Sequence, residues 1–220
     1  MKFFLDSAHT HEISYALDMW DIDGVTTNPR HVQASGKPFL TVIREIAGLL
    51  EGTDKPLSAE VNPHHDDWRA MVKEAEMLAK ISPNIAIKLP AIEQGFRALK
   101  ELAAQEIPVN LTLVFSASQA LQAMRLGAAF VSPFIGWKES NGEEVLGMID
   151  DIVAIRDNFG FDTEIIVSAV RNGRQLVDAA VAGADITTAA FAVYQESFDH
   201  PYTHVGLGKF QNFWDQTQYE

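Results

Sequence analysis

Eight short apolar runs, each followed by a longer amphipathic stretch, recur along this chain, and that alternation restricts its fold more than any single residue does. The runs are KFFLDSA (2–8), DGVTTNP (23–29), PLSAEVNP (56–63), IAIKLPA (85–91), PVNLTLVF (108–115), AFVSPFIG (129–136), EIIVSAV (164–170) and ADITTAA (184–190). Blocks of this length, rich in β-branched and aromatic residues, predict strands. Between them apolar residues return at helical spacing. The plainest case is HDDWRAMVKEAEMLAKI, where Trp68, Met71, Val72, Ala75, Leu78 and Ala79 share one face behind Asp66 and Asp67 at the positive helix end. EQGFRALKELAAQ, ASQALQAMRLGA, NGEEVLGMIDDIVAIRDNFG and NGRQLVDAAVAGA carry similar faces. Gly127, Gly160 and Gly183 stand where helix ends favour a residue tolerant of positive φ.

Eight strand-helix units in 220 residues leave little more than 27 residues each, close to the ~30 of a βα repeat and with no room for a second domain. The reading is an α/β protein, a single (β/α)8 TIM barrel over residues 1–220. An open doubly wound sheet is the rival, but it ordinarily carries a glycine-rich phosphate turn after its first strand, and Asp6-Ser7-Ala8-His9 is not one. The terminal stretch holds Phe198, Tyr202, Phe210, Phe213 and Trp214. It predicts a last helix that packs on a neighbouring subunit, and hence a homo-oligomer.

Charge and cysteine content narrow the function. There are 17 basic against 30 acidic residues, a formal net charge of −13, and a field of that sign repels nucleic acid and anionic bilayers, so neither is an expected partner. The absence of cysteine excludes thiolate catalysis and sulfur-ligated metal centres. The apolar run Phe3 to Leu5 is too brief for a secretory signal, and no stretch approaches the ~18 apolar residues of a spanning helix, so a cytoplasmic, soluble chain is expected. His9-Thr10-His11-Glu12 and His64-His65-Asp66-Asp67 fall at helix starts and lack the spacing of a two-histidine metal motif; they read as capping chemistry, and no metal is expected.

Polar residues interrupting apolar strands mark the chemistry, because a barrel enzyme builds its site at the C-terminal strand ends. Lys88 is the sharpest anomaly, set between Ile87 and Leu89 on a strand that should be covered on both faces. Burial favours a free amine over an ammonium, and a free amine can attack a carbonyl to form a Schiff base. A lysine snorkelling from the strand end, or paired with a structural carboxylate, is the plainer alternative. Asp6, Glu60, Arg171 and Thr26-Thr27-Asn28 end other strands, and Asn110, Thr112 and Ser132 lie within them. Each could be a turn or cap residue. Converging, two carboxylates and a lysine make an inventory for carbon–carbon bond cleavage beside a ketone.

The strings LDSA, GVTTNP, AEVNP, IKLP, NLTLVFS and SPFIG, in order along essentially the whole chain, resemble the strand motifs of the class I transaldolase and fructose-6-phosphate aldolase family. The resemblance implies that Lys88 forms the imine with a ketose C2, that Asp6 takes the C4 hydroxyl proton, and that Glu60 with Thr112 positions a water. It implies that Thr26, Asn28, Asn110 and Ser132 orient the dihydroxyacetone fragment, that the transferred unit passes to an aldehyde acceptor, and that no cofactor takes part.

The chain also departs from the family pattern. Trp137 stands where phosphate-binding members have an arginine, and Ala169 where they have a serine, leaving Ser168 and Arg171 on that strand, while Arg30-His31 follows TTNP. TTNPRH, GWKE, RNGRQ and YQESF are similar to members acting on 6-deoxy-6-sulfofructose. A sulfonate carries one negative charge where a phosphomonoester carries nearly two, so Arg30, Trp137, Ser168 and Arg171 are expected to line the anion end. A phosphorylated ketose, a non-catalytic sugar-binding barrel and metal-dependent aldol cleavage are the competing readings.

Overall fold

The computed structural model describes residues 1–220. The strands are β1 (Lys2–Asp6), β2 (Gly24–Thr26), β3 (Leu57–Glu60), β4 (Ile85–Pro90), β5 (Val109–Val114), β6 (Phe130–Pro133), β7 (Glu164–Val170) and β8 (Ile186–Ala189). All pair in parallel, in sequence order, and β8 returns to β1 to close a barrel. The helices are α1 (Thr10–Met19), α2 (Pro29–Ala34), α3 (Phe39–Leu49), α4 (Trp68–Ala79), α5 (Glu93–Ala103), α6 (Ala117–Arg125), α7 (Ile135–Ser140), α8 (Leu146–Phe159), α9 (Gly173–Ala182), α10 (Phe191–Ser197) and α11 (Pro201–Trp214). No helix is long and apolar enough to cross a membrane.

Two cores follow from the two faces of the ring. Outward strand residues and inward helix faces make one cluster of 47 buried residues, including Met71, Ala75 and Leu78 of α4. Inside the ring Phe4, Ala86, Phe130, Ile166 and Ile186 form a second, five-residue cluster. Because side chains alternate along a strand, the next inward position lies two residues on. Those positions are Asp6, Lys88, Ser132, Ser168 and Thr188, so the interior changes from hydrocarbon to polar at one level of the ring. Gly24 faces the Phe4 ring, and a side chain there would overlap it.

Closure is reinforced by Tyr194 of α10, whose hydroxyl lies 2.9 Å from the Phe4 carbonyl oxygen and 3.0 Å from that of Thr187. Burial pushes its phenol well above the usual range, so it stays a neutral donor between β1 and β8. Gly160 and Gly183 end α8 and α9 in the left-handed conformation, where a Cβ carries a steric cost.

Two predicted boundaries move. AFVSPFIG does not run as a strand to position 136: β6 stops at Pro133, Phe134 makes one last parallel bridge to Ser168 and caps the short helix α7, and Trp137 belongs to that helix rather than to a strand end. DGVTTNP contributes only Gly24–Thr26 to the sheet, because Asn28 caps α2 and Pro29 opens it.

The last helix stands apart from both cores. α11 has no buried residue, and Phe198, Tyr202, Phe210, Phe213 and Trp214 are all exposed.

Candidate active site

Register brings the singled-out residues to one end of the ring. Glu60 pairs laterally with Lys88, Lys88 with Asn110, and Asp6 with Thr26; partners of this kind point to the same face of a sheet. Lys88 is 4% exposed. Its Nζ lies 3.6 Å from Glu60 Oε2 and donates to the Thr27 carbonyl oxygen at 3.1 Å. The snorkelling alternative therefore does not hold, since the amine ends inside the ring.

Asp6 is enclosed by donors. Thr26 Oγ1 donates to its Oδ1 at 2.8 Å, Asn28 Nδ2 approaches the same oxygen at 3.5 Å, and His31 Nε2 lies 2.9 Å from Oδ2. Thr26 has given its only proton to Asp6, so the Thr188 hydroxyl, 2.6 Å away, donates to Thr26 in turn. Burial pushes the Asp6 carboxyl up, but the hydrogen bond and charge of His31, the charge of Lys88 and the Thr26 hydroxyl outweigh it and hold Asp6 below the usual carboxylate range. Glu60 goes the other way. Burial raises it, Lys88 offsets only part of that, and the charge of Asp6 adds to it. Two carboxyls on one side of one amine are thus driven apart, which is how a site separates a standing base from a group that exchanges a proton.

A cavity of about 520 Å³ opens above these groups, lined among others by Asp6, Thr26, Asn28, Arg30, Glu60, Lys88, Thr112, Trp137, Ser168 and Arg171. Its size suits a six-carbon sugar. Thr112 Oγ1 is the one buried side-chain nitrogen or oxygen without a hydrogen-bond partner. Such an orphan costs about 1–3 kcal/mol.

Asn110 and Ser132 do not reach the cavity wall. Ser132 Oγ donates to Asn110 Oδ1 at 2.7 Å, and Asn110 Nδ2 donates to Ser58 Oγ at 3.0 Å, all of them buried in the ring. They form a polar layer beneath the amine.

The rim of the cavity is cationic and aromatic. Arg30 is exposed on α2. Arg171, just past β7, donates to Ser140 Oγ at the end of α7. Trp137, 52% exposed, leans on Phe134 and Phe115 with centroids 5.6 and 5.9 Å apart. Backbone irregularities shape this side: Leu113 and Ala169 have φ of +57° and +60°, each at a register shift in its strand, and both line the cavity. Ser168 Oγ donates to the Ile166 carbonyl oxygen at 3.0 Å while also lining the cavity.

His31, Thr188 and Ser58 complete these networks without having been singled out as site residues. Thr188 was legible in principle, two positions beyond Ile186 on an alternating strand. His31 was visible only as charge near Arg30; its reach across to β1 depends on how α2 is set.

Comparison with known proteins bears on the whole chain. The profile of the family described as Transaldolase/Fructose-6-phosphate aldolase matches residues 3–219. The chain belongs to the transaldolase/fructose-6-phosphate aldolase family. Among relatives in this enzyme family, two named 6-deoxy-6-sulfo-D-fructose transaldolase, from Priestia aryabhattai and Priestia megaterium, are each 56% identical over 99% of this chain and 96% of their own length. A probable transaldolase of Dictyoglomus turgidum is 45% identical over 98% of this chain and 99% of its own.

Proposed function

We propose that this protein, acting as one catalytic domain over residues 1–220, is a class I transaldolase. It cleaves 6-deoxy-6-sulfofructose and transfers the dihydroxyacetone unit to an aldehyde such as glyceraldehyde 3-phosphate, releasing sulfolactaldehyde in sulfoquinovose catabolism. The carrying observation is the buried Lys88 amine 3.6 Å from Glu60, opening on the same cavity as Asp6. Identity of 56% to relatives named for sulfofructose supports the donor.

In this reading Lys88 gives a proton to Glu60, the freed Nζ lone pair attacks the ketose C2, and Glu60 relays the amine's protons to the C2 oxygen, which leaves as water as the imine forms. Thr112 Oγ1, with no protein partner, holds that water. The imine then withdraws electrons from C3–C4 while Asp6 accepts the C4 hydroxyl proton; the bond breaks, the aldehyde leaves and an enamine remains for the acceptor. No step calls for a cofactor. Thr26 and Asn28 align Asp6 and the donor hydroxyls, while Asn110 and Ser132 brace the floor on which Lys88 and the dihydroxyacetone fragment sit. Arg30, Arg171, Ser168 and Trp137 receive the C6 anion, with an indole face and an adjustable cation where a dianion would call for more convergent donors. A cytoplasmic homo-oligomer, joined through the apolar surface of α11, completes the reading.

Borohydride reduction in the presence of donor tests the chemistry. The wild-type protein is expected to gain the mass of a reduced dihydroxyacetone adduct on Lys88. Lys88→Met is expected to gain none and to lose at least about 10³-fold in turnover, with circular dichroism unchanged. Activity in that variant would refute the imine. A kcat/KM favouring fructose 6-phosphate over sulfofructose would overturn the sulfonate donor and leave the imine standing.

A further inference from the structure

Three strand-to-helix turns on the cavity side are built alike, and one of them puts its key side chain to another use. In the turn after β5, Ser116 caps α6 by accepting from Gln119 N, and the Gln119 side chain returns to accept from Phe115 N. After β7, Asn172 caps α9 by accepting from Gln175 N, and the Gln175 side chain accepts from Arg171 N. Each glutamine, third residue of its helix, ties down its own turn, a variant of the capping box. After β2, Asn28 caps α2 by accepting from His31 N at 3.1 Å. His31 occupies the third position, yet its ring leaves its own turn and crosses to Asp6 on β1, with Nε2 2.9 Å from Oδ2.

We propose that His31 is a positioning residue for Asp6: it holds one lobe of the carboxylate so that a single acceptor position, on Oδ2, is left for the donor's C4 hydroxyl. The inference rests on the imine reading above. An ionised carboxylate offers about four acceptor positions. Thr26 and Asn28 use two on Oδ1, and His31 uses one on Oδ2. The remaining one is where the hydroxyl proton goes as the C3–C4 electron pair moves into the imine, and His31 keeps its own ring hydrogen throughout. Asn28 caps the helix that carries His31 and also approaches Asp6, so the ring and its target are fixed by one short segment.

Around Asp6 the other groups that could govern its protonation are Lys88 from β4, Glu60 from β3, Thr26 from β2, Thr188 from β8 and the Tyr194 phenol from α10. His31 stands outside the ring of strands on α2, as Tyr194 does on α10, but its ring bonds the Asp6 side chain and no strand carbonyl, so it can be changed without opening the barrel.

The test compares His31→Leu with His31→Gln, whose amide nitrogen reaches about as far as Nε2. His31 lowers the Asp6 carboxyl, so without a donor that group takes up a proton at higher pH. In His31→Leu the acid limb of kcat/KM for donor cleavage is expected to move up by about one pH unit, and kcat at neutral pH to fall about tenfold. His31→Gln is expected to bring back most of both. Borohydride trapping of dihydroxyacetone on Lys88, which needs no C4 proton transfer, is expected to equal wild type in both variants. An unmoved limb in His31→Leu, or a His31→Gln variant no better than His31→Leu, would overturn the proposal. Absence of trapping in the wild-type protein would instead refute the imine reading beneath it.

Discussion

At the residue scale, the site sets stability against chemistry in a way that one substitution can expose. Thr112 keeps a buried hydroxyl with no protein partner, at a cost of about 1–3 kcal/mol. Valine has nearly the same shape and no hydroxyl. Thr112→Val is therefore expected to raise the unfolding free energy by about 1 kcal/mol, measured by urea denaturation, while slowing imine formation about tenfold or more in single-turnover trapping. A variant both less stable and fully active would remove Thr112 from the water-holding role. The same logic explains why Lys88 stands out in a bare sequence: an amine between isoleucine and leucine on a covered strand has no structural reason to be there. His31 gives no such signal, since a histidine after TTNPR looks like surface charge until the register of β1 against β2 sets Asp6 within its reach.

At the scale of elements, strand ends are held where helices come unusually close. A methyl group on Gly95 of α5 would overlap the Pro90 carbonyl oxygen at the end of β4, two residues beyond Lys88. Gly136 of α7 stands in the same relation to the Ala169 carbonyl oxygen. Gly95→Ala is expected to cost about 1–3 kcal/mol of stability in chemical denaturation and to lower turnover, since α5 must retreat from the strand that presents the amine. An unchanged midpoint would mean that α5 can shift freely.

Elements were also what the sequence made most legible. All eight strands lie inside the predicted runs, and β7 coincides with its run from end to end. The failures fell where an apolar run continues past the sheet, as in SPFIG, whose Ile135 and Gly136 are buried in a helix. Hydrophobicity reports burial, and a buried helix start looks like a strand. The site was legible by chemistry rather than by position. Asp6, Glu60, Lys88 and Thr112 were found as polar residues in apolar strands, whereas the place of Asn110 and Ser132 below the cavity floor depended on how far up each strand the polar level begins.

At the scale of the whole molecule, α11 is the part that the barrel does not account for. Its fourteen residues include none that are buried, and a helix of that length with exposed aromatics is marginal alone in water. If α11 joins copies of this chain as proposed, the full chain is expected to be oligomeric by light scattering, and removal of residues 201–220 to give monomers while leaving the thermal unfolding of the barrel within a few degrees. A truncated chain that keeps the full-length mass would place the subunit contact elsewhere. The cationic rim has a consequence of its own. A body with a net charge of −13 pushes anionic sugars away at long range, and Arg30 and Arg171 reverse that push only within a Debye length of about 8–10 Å. Capture is then gated by the surrounding electrolyte, because added ions mute the distant repulsion before they loosen the close grip, so this enzyme should collect its anionic substrate faster at moderate salt than in dilute buffer.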